Sequence, residues 1–322
     1  MKAPIAQSTG RLPAKGHLVL AASLIVLLVL PSQLFAHVAE GDSAEHSIWT
    51  KWNFDWQLVL SVVAAVGFYA VGVRNLWKKV GHGRAISRRQ IWTFGAGVLA
   101  LIVALVSPLD ALSAELSSAH MVQHMILMNV AAPLLIMSSP LLAFSWALAP
   151  KYRTKLGSIF RRMHEWRPRN YLVWQPILLW VVYGVTLWVW HLPALYQTAL
   201  RNEFVHELQH ISFFAVSCVF WRVLLDPLKR LHFGRGLAIV YLFTTSLHAT
   251  LLGVFMALSP RVWYPDYETT VSAWSLSAIE DQQLAGLIMW MPACAVYAIV
   301  AAFLFASWLQ ESEYQQHAPE FE

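Results

Sequence analysis

Seven runs of predominantly apolar residues, near 57–76, 91–109, 119–146, 172–190, 206–225, 236–258 and 284–309, dominate the chain. Each is close to the ~20 residues that a helix needs to cross a bilayer. In hydrocarbon every backbone polar group must be paired internally, so repeated runs of this length admit one fold class. The expected fold is all-α: a polytopic membrane bundle of seven transmembrane helices over 57–309. The third run is long for one span, and Pro133 and Pro140 are placed to kink it. Composition agrees, with 57% hydrophobic and 13% charged residues, against roughly 25% charged in soluble domains. Neither an internal repeat nor a second domain is visible.

Residues 1–36 read as a secretory signal: Lys2, Arg11 and Lys15 precede an apolar core, Leu18 to Leu30, which Pro31 ends. Leu34-Phe35-Ala36 is a tolerable cleavage site, which would leave His37 as the new amino terminus; the alternative is an uncleaved signal anchor. Residues 37–56 are polar and acidic, then carry Trp49, Trp52 and Trp56, which suits an exported segment reaching an interfacial aromatic belt. Loop charge predicts the orientation. Seventeen basic residues lie in or beside the loops after spans one, three and five, and the alternate loops hold only Lys51, Arg201 and Arg261. That bias places residues 37–56 in the periplasm and the tail, 310–322, in the cytoplasm. The net charge of +5 is explained by these loops and carries no nucleic-acid signal. Cys218 and Cys294 both lie in apolar runs, so a disulfide framework is not indicated.

On this map the histidines are distributed unevenly. His120 and His124 open the third span, and His206 and His210 open the fifth. Residues four apart share one face of a helix, so each pair is a chelating unit that a facing helix can complete. His191 ends span four, and His248 lies well up span six, so six histidines fall in the outer half of the bundle. Ionisable residues in spans are costly and mark function by default. Interfacial histidines can also be simply solvated, and a lone one such as His248 is more often a packed, hydrogen-bonded residue. Carboxylates at Asp110, Glu115, Glu203, Glu207, Glu280 and Asp281 are candidates to orient the rings. Met121, Met125 and Met128 adjoin the first pair, and Met289 and Met291 lie in span seven. Thioether with imidazole suits copper, Cu(I) above all, although methionine stripes are commonly core filler. The candidate metal set is His120, His124, His206, His210, His248, His191 and Met125.

Several segments together resemble the CtaG-type cytochrome c oxidase assembly proteins: HMVQHMILMNVAAPLL at 120–135, WVWHLPALYQTAL at 188–200, HELQH at 206–210 with the following FW, LH at 247–248, YPDY at 264–267 and DQQLAGLIMW at 281–290. The resemblance covers about 57–309. It departs where a Gly-Gly pair is expected and Ala285-Gly286 stands. It implies a non-enzymatic role in maturing haem-copper oxidase, with oxidase subunits and a periplasmic copper donor as partners. It also implies a periplasm-facing site on the two histidine pairs and, with the signal, a place in the bacterial inner membrane. Two other readings of the same residues stay open. One is a zinc membrane hydrolase, with Asp110 and Glu115 near His120; the other is an electron-transfer protein with bis-histidine haem.

Overall fold

A computed structural model describes residues 48–165, 171–225 and 234–316. The signal region and the last residues of the tail lie outside them. The described chain is helical apart from turns. Helix α1 (Trp56–Val80) is capped by Asp55, whose side chain accepts from Gln57 N. Helix α2 (Arg88–Leu105) begins at a capping box of Ser87 and Gln90. A short α3 (Pro108–Ser113) leads into α4 (Ser117–Ile126), a π-helical segment (Leu127–Ala131) and α5 (Ala132–Met137), which together form one span. Then follow α6 (Pro140–Ala147), α7 (Pro150–Glu165), α8 (Tyr171–Trp190), α9 (Pro193–Arg201), α10 (Glu203–Leu225), α11 (Gly234–Leu258) and α12 (Ala278–Gln316).

Six of these units are long and apolar enough to cross a membrane, and α8 with α9 makes a seventh that bends by 70°. The bend falls at His191-Leu192, where Pro193 opens α9; the residue before a proline is driven out of helical geometry. The long third run departs from the single kinked span expected over 119–146. It stops at Met137, where Ser139 adopts φ 53° and Pro140 starts α6. Helix α6 packs on α1, so closely that a Cβ on Gly72 would lie 1.8 Å from Ala143 O.

The 117–137 span is the axis of the bundle, with 61% of its most apolar window buried against 17–44% for the other five long spans. Helix α12 packs on α4, and α2 and α10 pack on α5 and the π segment. Proline explains that segment. Ala132 N–H bonds Leu127 O, five residues back. In that register the next donor would be Pro133, which has no N–H. Met128 O is therefore free, and Trp221 Nε1 of α10 donates to it at 2.8 Å. A local register defect, common at functional sites, thus ties the two histidine-bearing helices together. Helices α11 and α12 pack against each other through facing Gly253 and Gly286, whose Cβ atoms would each lie under 3 Å from the other's carbonyl oxygen.

Candidate metal centre

The first turns of α4 and α10 face each other, and their four imidazoles are in contact. Ring centroids lie 4.3 Å apart for His120 and His124, and 4.2 Å for His206 and His210. Across the helices, His120 is 5.2 Å from His206 and 5.8 Å from His210, and His124 is 5.2 Å from His210. One ligand nitrogen from each of His120, His124 and His210 can be chosen so that all three lie within 4.8 Å of one another. Imidazole nitrogens stand about 2 Å from a bound transition metal, so small ring rotations close this triad on one ion. His206, in ring contact with both His120 and His210, is a fourth candidate on the rim.

The polar bookkeeping at this spot is unusual. Both ring nitrogens of His120 and His124, and Nε2 of His206 and His210, are buried with no hydrogen-bond partner in the protein. Gln209, fully buried between His206 and His210 in sequence, leaves both amide atoms unpartnered. Its side chain and the Ser113 carbonyl lie beside the His120 ring without completing a bond of normal geometry. Buried polar atoms are nearly always satisfied, and each orphan costs about 1–3 kcal/mol. A cation that takes several of these lone pairs at once removes that cost, so the donor set fits a metal.

His191 sits at the α8–α9 bend beside this cluster. Its Nδ1 hydrogen-bonds Leu187 O at 2.7 Å. A carbonyl only accepts, so Nδ1 carries the proton and the buried Nε2 holds a free lone pair. Its ring lies 5.9 Å from Phe213, which in turn lies 4.7 Å from His124. His248 stands apart, its ring 4.6 Å from Trp180 and against Gly184. Met125 turns its sulfur to Asn129 Nδ2 at 3.3 Å, while Met121, Met128 and Met289 are packed in the apolar core.

Four of the carboxylates, Asp110, Glu115, Glu280 and Asp281, are engaged away from the rings. Asp281 of α12, fully buried, accepts from Ser117 N (2.6 Å), Ser117 Oγ (2.7 Å), Ser118 N (3.1 Å) and Ser118 Oγ (2.5 Å). It anchors the first turn of α4, three residues before His120, where a negative charge also meets the positive end of the helix dipole. Asp110 accepts from Asn53 and Gln123 at 2.8 Å each. Glu115 accepts from Trp274 Nε1, and Glu280 caps α12 with Ser277. Sequence reasoning missed Asp281's role and the roof. Tyr196 of α9 lies 5.1 Å from His120 and stacks on Tyr264 at 3.8 Å. Tyr264 donates to His191 O at 2.9 Å and Tyr267 to Ser113 O at 3.0 Å. Burial raises the pKa of both hydroxyls, so they remain donors. A bidentate contact of Arg201 with Asp266 fastens this turn to α9. The signals were present: Ser117-Ser118 just ahead of His120, and Tyr196, Tyr264 and Tyr267 inside the quoted WVWHLPALYQTAL and YPDY segments.

No curated protein and no solved structure matches the chain. A family model described as "Cytochrome c oxidase caa3 assembly factor (Caa3_CtaG)" matches residues 67–311, which takes in every helix that builds the histidine cluster, and the chain belongs to that family.

Proposed function

We propose that the protein serves cytochrome c oxidase assembly by holding copper at the His120, His124, His206 and His210 cluster and passing it on, without turnover. The observation that carries this reading is the set of buried ring nitrogens, drawn from two facing helices, that have no partner in the protein. Affinity of nitrogen sites for divalent first-row metals peaks at copper, and imidazole also accepts Cu(I). Copper here is cargo. Rings in edge-on and tilted contact that rotate slightly to close on an ion can also release it, and His206 at the rim and the Nε2 of His191 offer further donors along an exit. The basic loops flank the opposite ends of α1, α2 and α10, so the positive-inside rule directs the cluster to the periplasmic face of the inner membrane. Oxidase subunits and a periplasmic copper donor are the partners this assigns.

The competing readings fit the geometry less well. A zinc hydrolase wants a carboxylate ready to take a proton beside the metal, and Asp110, Glu115 and Asp281 are each engaged by other donors. A bis-histidine haem needs a macrocycle between opposed imidazoles, whereas here the rings of the two helices touch each other directly. The test is copper and zinc content of the purified protein, with an optical spectrum, for wild type, His120→Ala, His124→Ala and His248→Ala. Copper should be lost in the first two variants and kept in the third. Stoichiometric zinc without copper, a Soret band, or equal copper loss in His248→Ala overturns the proposal.

A further inference from the structure

Away from the histidines, α1 and α2 are packed to different neighbours, α1 on α6 and α2 on α5. They touch through Tyr69 and Phe94, buried and stacked at 3.7 Å. These two rings line a groove of about 720 Å³ between the helices. Its walls are apolar along most of their length, and Arg74, Lys78 and His82 line it as well. Arg74 and Lys78 are exposed and form no ion pair with a described residue. From residue 56 to 109 the chain has no Asp or Glu, while Lys79, Arg84, Arg88 and Arg89 add to the same basic region. On α1 the groove runs from Val66 to Lys78, ~18 Å at 1.5 Å per residue. That is close to one leaflet, about half of a ~30 Å hydrocarbon core. Gly95 on α2 lines it, and a Cβ there would meet nothing within 4 Å.

We propose that this groove binds an anionic phospholipid of one leaflet, its phosphate held by Arg74 and Lys78 and an acyl chain lying against Tyr69, Phe94 and Gly95. Length and charge select this occupant together. A transmembrane helix of a partner would extend past the basic end into a cluster of like charge with no carboxylate to receive it. A zwitterionic lipid fits the apolar length but leaves the two cations uncompensated. The inference is independent of the metal reading.

The test is native mass spectrometry of the full-length protein in detergent, titrated with phosphatidylglycerol and, separately, phosphatidylcholine. Each basic residue near an anionic headgroup adds roughly fivefold in affinity, so wild type should prefer phosphatidylglycerol by about twenty-five-fold, and Arg74→Gln with Lys78→Gln should erase that preference. Gly95→Leu, whose Cβ would meet nothing within 4 Å, should reduce retention of both lipids, and Ala70→Leu on the facing wall serves as a second blocking variant. Lys155→Gln on α7 should change nothing. Four results overturn the proposal: no preference in wild type, an unchanged preference in the double variant, an equal loss in Lys155→Gln, or unchanged retention in both blocked variants. A dimer that dissolves in the blocked variants overturns it too, by making a second copy the occupant.

Discussion

Replacing Asp281 by asparagine tests whether the histidine helix is held in place from the far end of the sequence. The carboxylate accepts four hydrogen bonds from Ser117 and Ser118, two of them from backbone N–H groups that the helix cannot satisfy itself. Asparagine keeps one oxygen and presents an NH2 to the other two donors. The serine hydroxyl there can rotate to accept. The backbone N–H cannot, and leaving it buried and unpaired costs about 1–3 kcal/mol. The surviving bonds fall from charge-assisted to neutral strength, roughly half, and the favourable contact with the helix dipole, ~0.3–1 kcal/mol, goes as well. Relief from burying a charge offsets part of this. At roughly 2.1 cal/mol/K of unfolding entropy per residue, a net loss of about 3 kcal/mol in this 322-residue chain should lower Tm by ~4–5 °C, read by thermal unfolding in detergent. Because His120 lies one turn from Ser117, copper content should fall in the same variant. Glu280→Gln is the control: it is exposed, caps only its own helix, and should shift Tm far less and leave copper unchanged. Wild-type Tm and copper in Asp281→Asn, or equal effects in the two variants, would refute the anchoring argument.

Other outcomes follow from single contacts. Trp221→Phe should cost about 1–3 kcal/mol by stranding Met128 O and should lower copper content, because the π segment then loses its link to α10; a thermal scan with metal analysis checks both. Gly286→Ala, whose Cβ would sit 2.5 Å from Gly253 O, should destabilise by about 1–3 kcal/mol. Gly67→Ala, in open space, should be neutral or stabilising by up to ~1 kcal/mol in the same scan. Tyr264→Phe removes the bond to His191 O and should cost about 1 kcal/mol while slowing neither folding nor copper uptake; complete copper loss would make the hydroxyl a ligand rather than a roof strut.

Hydropathy is a sum over neighbours in sequence, so the number and rough limits of the spans were legible without any structure; the 70° bend between α8 and α9 was not. Helical periodicity is equally local: four-residue spacing was enough to put His120 with His124, and His206 with His210, on single faces. Which faces meet is a different kind of fact. It depends on the rotation of α4 against α10, and that rotation is fixed by a proline without an N–H, the π register it imposes and an indole 93 residues away that takes the released carbonyl. The same limit hid the work of Asp281, 164 residues from the serine it holds. Reading it as a ring-orienting carboxylate used proximity along a depth map, which resolves height in the bilayer but not angle around the bundle. The end of the third run at Ser139 escaped for a related reason. Apolar residues continue through α6, and the turn is set by a left-handed backbone and by packing of Ala143 on Gly72, neither of which alters hydropathy. Composition decided that the chain spans a membrane; tertiary packing decided that four histidines share one cluster of ring contacts and that His248 stands apart, because only close contact between distant segments chooses among helix rotations of equal hydrophobicity.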